Sequence, residues 1–226
     1  MVSYAGWNAV AAIGGISRGQ GLAILINQSF GAAVNAAMSI ANQVNGQAQT
    51  LASAMQGAFS PAITSAYGAG DRKLFESLSF RACKFGMLLV LVFAIPLSLE
   101  LPMVMRLWLV NPPEYSVELC WCMMLSVLID KSTIGHMIAV NAKGRIALYQ
   151  SFLGGTLVLT LPIAYVFIKC GYGVYGVGMA WSLTQVVSAL GRTFFARYLV
   201  GFSIRYWFEK ILLPVSLVTL ICSFFG

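Results

Sequence analysis

Four side-chain amides recur at a spacing of seven along one uncharged stretch: Asn35, Asn42, Gln49 and Gln56. On a helix a sevenfold repeat drifts by only ~20° per step, so the four stand close to one face. Gln43, Asn45 and Gln47 thicken part of that polar surface. An amide offers both a donor and an acceptor, which a hydroxyl-rich ligand such as a sugar requires. Alanine, glycine and serine fill much of the same stretch, and small residues with amides also hold membrane helices together. Two readings stand side by side: the wall of a hydrated cavity, and a helix–helix interface.

A second set of polar residues precedes it. Arg18 and Gln20 lie near the middle of an apolar segment, and Asn27 lies near its end. At 1.5 Å per helical residue, Arg18 is ~22 Å from Ser3, deep in a bilayer-sized element. An arginine at that depth must face a partner or a cavity rather than lipid. The partner is Asp130, or else an anion, and a guanidinium fork suits phosphate better than an ammonium does. Asp130 and Lys131 lie deep in a later segment, ~100° apart on a helix, so they need not pair with each other. They read as an ion-coupling site or as parts of an internal salt bridge. His136 reads as a polar cap near a helix end or as a proton site.

No catalytic constellation accompanies these residues. One histidine, two aspartates and scattered serines give no triad or paired carboxylates. No Walker-type loop is present, so ATP hydrolysis is not expected. The five cysteines include a C-x-C at Cys120 and Cys122 without a second pair, which argues against a metal site or a disulfide framework. The chain is expected to be no enzyme and to hold no cofactor.

The elements that carry these residues are apolar. Of 226 residues, 59% are hydrophobic and 9% charged, against about a quarter charged in an average soluble domain. Residues 19–70 hold no charge, and neither do 146–168 or 170–191. Uncharged apolar runs of ~20 residues match a bilayer core. The fold class is therefore all-α, a polytopic transmembrane bundle of about seven helices. They are expected at 3–28, 31–67, 75–99, 115–140, 145–168, 175–199 and 207–226. A short interfacial piece at 101–110 carries Arg106 and Trp108. Pro96, Pro162 and Pro214 are expected inside helices. No basic n-region opens residues 1–17, so no cleavable signal peptide is expected.

The net charge of +7 is spread between apolar segments, which speaks against nucleic acid as a partner. Arg72, Lys73, Arg81 and Lys84 fall at one connection, Lys143 and Arg145 at the next on that side. Arg192, Arg197, Arg205 and Lys210 fall at or near a third. The positive-inside rule puts these and Met1 in the cytoplasm.

The run Pro61-Ala62-Ile63-Thr64-Ser65-Ala66-Tyr67-Gly68-Ala69-Gly70-Asp71 resembles a helix end of the MATE-like (MOP) superfamily of flippases and exporters. Gly6-Trp7-Asn8, Gln20-Gly21 with Asn27, and Phe30-Gly31 with Val34-Asn35-Ala36-Ala37 resemble the second lobe of bacterial polysaccharide (O-antigen) flippases of the Wzx type. Arg106-Leu107-Trp108-Leu109 before Pro113-Glu114-Tyr115, and Gly144-Arg145 before Tyr149-Gln150, fit the same branch. The resemblance implies two six-helix lobes around a central cavity and alternating access. It implies a cargo of undecaprenyl-pyrophosphate-linked oligosaccharide, moved across the bacterial inner membrane for lipopolysaccharide synthesis. Transport of this kind is often coupled to a Na+ or H+ gradient. Arg18 would meet the pyrophosphate, and Gln20, Asn27, Asn35, Asn42, Gln49 and Gln56 the glycan.

A full member has 12 to 14 helices. This chain is expected to supply one lobe, residues 1–200, then a cytoplasmic linker and the cut-short start of a further helix, residues 201–226. Its expected partners are membrane lipid, the lipid-linked oligosaccharide, and a first lobe or a second copy. The alternatives are a multidrug or cation antiporter of the same superfamily and a lobe that does not transport.

Overall fold

The computed structural model describes residues 2–144 and 146–225, without the side chains of 2–5, 8, 10 and 220–225. Met1, Arg145 and Gly226 lie outside the described residues, as do the side chains of Asn8 and Cys222. The chain is all-helical, with no strand among the described residues. Its principal helices are α1 (Val2–Phe30), α2 (Ala32–Gly68), α3 (Arg72–Leu99) and the short α4 (Leu101–Leu109). They continue with α5 (Ser116–Lys131), α6 (Ile134–Lys143), α7 (Ala147–Phe167) and α8 (Gly173–Phe195). A last helical stretch comprises α9 (Ile204–Trp207), a wider turn at Phe208–Leu212, and α10 (Leu213–Phe225).

Glycine, proline and one aspartate set several boundaries. Gly31 separates α1 from α2, and Gly70 follows the end of α2. Asp71 then caps α3, its Oδ1 accepting from the Leu74 N–H at 3.0 Å. Asn111, Pro112 and Pro113 separate α4 from α5. Gly171 and Gly173, with φ of +91° and +56°, turn the chain so that α8 packs back on α7.

The expected fourth helix, 115–140, is two helices. α5 and α6 meet at a 45° bend, with Ser132 and Thr133 between them. Both hydroxyls donate three residues back, to the carbonyls of Ile129 and Asp130. The indole of Trp207 donates to the Ser132 carbonyl at 2.8 Å, satisfying a buried acceptor at the break. Beyond the bend Gly135 lies against α3 so closely that a Cβ there would stand 1.8 Å from the Ser79 carbonyl oxygen.

Around the bundle, α1 packs on α7 and α2, α2 on α3 and α5, α5 on α8, and α8 on α7; α3 also packs on α6. By length and composition α3 and the hairpin Ala147–Val200 can cross a membrane, and α5 with α6 can do so as one bent span. That is fewer than the seven spans expected. The uncharged α2 is excluded because its Asn and Gln residues lower its hydropathy, and α10 is only 13 residues long. Three basic connections meet at one end of the bundle. Arg72 donates to the Gly201 carbonyl at 3.4 Å, and Lys143 donates to that of Leu199.

Candidate functional site

The core is divided. One hydrophobic cluster gathers Leu22, Ile26, Ala37, Met123, Val127, Ala164 and Trp181. The other gathers Ile63, Phe80, Ile134, Tyr149, Leu153 and Trp207. Where helices pass from one cluster to the other they carry polar residues. These are Gln56 on α2, Asp130 to Thr133 at the α5–α6 break, Thr156 and Thr160 on α7, and Thr184, Gln185, Ser188 and Arg192 on α8. Arg18 of α1 lies one turn before Leu22.

Asp130 is the hub of this layer. Arg192 Nη1 donates to its Oδ1 at 2.6 Å and to its backbone carbonyl at 3.3 Å. Gln185 Nε2 donates to the same Oδ1 at 2.9 Å, and Lys131 Nζ stands 2.8 Å from Oδ2. The hydroxyls of Thr160 and Thr184 pair at 3.0 Å.

Sequence reasoning offered Arg18 as the partner of Asp130, and the structure gives Arg192 instead. The reason is packing, because α5 lies directly on α8 whereas α1 lies on α7 and α2. Arg192 is therefore a largely buried residue of α8, its side chain 12% exposed, rather than a connection charge. The residue missed with it is Gln185, seven positions earlier on the same face. Lys131 does reach Asp130, because its long flexible stem spans the ~100° between neighbouring helical positions.

Arg18 is held differently. Its guanidinium lies 3.8 Å from the centroid of the Trp181 ring, a cation–π contact. Its Nε and Nη1 are buried without a hydrogen-bond partner among the described residues, as is Nε of Arg192. Among the described residues the layer thus holds three cations, Arg18, Lys131 and Arg192, and one carboxylate, Asp130, a balance of +2. Burying a charged donor is costly unless it is paired and hydrogen-bonded.

The remaining predicted contacts do not converge on Arg18. Gln20 and Asn27 are exposed and lie ~180–200° around α1 from it. Asn42 is exposed, while Asn35, Gln49 and Gln56 are half-buried. Asn42 and Gln49 each follow a buried alanine, Ala41 and Ala48, so they flank the packed seam by ~100°. The outer face of α2 carries Ser39, Gln43, Gly46, Thr50 and Ser53, all exposed. The hydroxyls of Ser39, Thr50 and Ser53 turn back onto carbonyls four residues earlier. Gln43 and Gln47 share a groove of about 160 Å³ with Trp108, a residue the sequence placed only at the interface.

His136 is not an end cap. It is 1% exposed and is ringed by Phe80, Phe202 and Trp207. Its Nδ1 lies 3.5 Å from Thr193 Oγ1. Among the described residues no group of three or more His, Cys, Asp or Glu could hold a metal ion, and Cys83, Cys120, Cys122 and Cys170 are free thiols.

No protein-family model, no curated protein and no solved structure matches this chain.

Proposed function

We propose that this chain is a transporter lobe that flips lipid-linked oligosaccharide across the bacterial inner membrane. The observation that carries the reading is the guanidinium of Arg18, whose Nε and Nη1 are buried with no partner among the described residues, in a layer of excess positive charge. Such a donor set suits a pyrophosphate linkage. The amides and hydroxyls of α2 supply the donors and acceptors that a glycan needs. In this reading the chain is multi-pass, with α1, α2, α3, α5–α6, α7, α8 and α10 as its seven helices. The gathering of Arg72, Lys143 and residues 199–201 at one end supports a cytoplasmic side there. A first lobe or a second copy completes the cavity.

The cation-antiporter reading has less support, because Asp130 is already engaged by Arg192, Lys131 and Gln185. The test is Arg18→Ala beside Arg18→Lys in cells whose surface glycan depends on this chain. Loss of surface glycan at unchanged membrane abundance in Arg18→Ala, with partial retention in Arg18→Lys, is expected. Normal surface glycan in Arg18→Ala overturns the anion role.

A further inference from the structure

A second basic site lies outside the polar layer. A cavity of about 530 Å³ opens between the first turns of α3 and the stretch that joins α9 to α10. Lys73, Arg81 and Lys84 line it from α3, at spacings that keep them within ~80° of one face. Lys210 faces them from the other wall. Glu76 is the one acid in the lining, so four cations stand against one anion, a balance of +3. None of the four cations forms an ion pair among the described residues.

The lining is amphiphilic rather than purely charged. The rings of Phe80 and Tyr206 meet at a tilt of 41°, 4.9 Å between centroids, and the buried Ile211 lies beside them. The depth is also telling. Lys84 is the last charge before an uncharged run over residues 85–99 of α3. The cavity thus sits where the helix passes from polar surface to apolar span, the level of lipid headgroups. Like charges crowded in one cavity repel, and an anion among them relieves that repulsion. Basic pockets between helices on the cytoplasmic side are suited to phosphate headgroups.

We propose that this cavity binds the phosphate headgroup of an anionic membrane lipid. Arg81 and Lys84 meet the phosphate, and Phe80 and Tyr206 pack against the glycerol end. The bound lipid holds the α9 stretch against α3. This proposal rests on reading the chain as a membrane protein and is independent of its cargo.

The test uses the full chain in phosphatidylcholine vesicles containing spin-labelled phosphatidylglycerol or spin-labelled phosphatidylcholine, with flotation to score membrane association. The expected result is a saturable, about fivefold preference for phosphatidylglycerol. Arg81→Gln with Lys84→Gln abolishes that preference, while Arg197→Gln, an exposed cation outside the cavity, leaves it intact. No preference in the unaltered chain, or an equal loss in Arg197→Gln, overturns the site. Displacement of the lipid by inorganic phosphate, but not by chloride of equal ionic strength, marks a free-anion site and overturns the lipid assignment. A chain that floats with vesicles yet shows no preference leaves the membrane reading standing. A chain that does not float overturns both.

Discussion

Asp130 and Arg192 stand 62 positions apart in the chain and 2.6 Å apart in the fold. Their pairing joins α5 to α8 at the level where the two hydrophobic clusters part. Gln185 and Lys131 complete the shell around the carboxylate. The arrangement explains how α5 can end next to a bend without losing its place. The residue before its last is held from a neighbouring helix and from its own chain.

Removing that carboxylate leaves two largely buried cations, Lys131 and Arg192, without their anion. Asp130→Ala is expected to cost about 3–5 kcal/mol, the range for breaking a buried pair by deleting one partner. Asp130→Ala with Arg192→Met should recover part of the loss, since the second change removes one stranded charge. Unfolding midpoints in one detergent, compared across the single and double variants, provide the measurement. A single-variant loss below about 1 kcal/mol would show the pair to be as weak as a surface one.

Gly135 and Gly155 give a paired test of helix approach. A Cβ at Gly135 would stand 1.8 Å from the Ser79 carbonyl oxygen, whereas at Gly155 nothing lies within 4 Å. Gly135→Ala must push α6 off α3 and should cost about 3 kcal/mol or more, as overpacking against rigid backbone does. Gly155→Ala should be neutral or gain up to about 1 kcal/mol from helix propensity. The comparison is made by thermal unfolding of the two variants. Equal behaviour would mean that α6 does not pack on α3 as described.

The helix order was legible because its punctuation is chemical. Gly31, Gly70 with Asp71, the Pro112–Pro113 pair and Gly171 with Gly173 each interrupt or redirect the backbone whatever surrounds them. The α5–α6 bend was not legible. Serine and threonine tolerate a helix, and what fixes the bend is non-local: Gly135 on Ser79 and Trp207 on Ser132. Arg18 stood out as a lone charge beside a long uncharged run. Arg192 did not, because it closes such a run and so looked like a connection residue. Its spacing of seven from Gln185 was the available signal. The burial of His136 was hidden for the same reason as the bend, since Phe80, Phe202 and Trp207 come from distant parts of the chain.

Trp207 couples the α9 stretch to that bend. Its indole N–H donates to the Ser132 carbonyl at 2.8 Å in a buried setting. Trp207→Phe keeps an aromatic ring beside His136 but leaves the carbonyl unsatisfied. The expected cost is about 1–3 kcal/mol. Hydrogen exchange should quicken over residues 204–212, where the loss of the tether is felt, and change little in α7. Unchanged exchange in 204–212 would show that this stretch is held by packing alone.

The last prediction separates the two readings of α2. If its amide-bearing surface faces water in the membrane-embedded protein, cysteines on that surface must react with membrane-impermeant thiol reagents. In a background with the five native cysteines replaced by alanine, Asn42→Cys and Gln43→Cys are expected to label fully. Val44→Cys, on the packed side at 8% exposure, is expected to stay protected. The two exposed positions differ by ~100° on the helix, so both must be wet for the cavity reading to hold. Labelling at neither, with the protein intact in the membrane, assigns this surface to a helix–helix interface. The amides then act as bonds across that interface, and the proposed glycan-binding role of α2 falls. Labelling from the cytoplasmic side in one condition and from the opposite side in another would add alternating access to the hydrated surface.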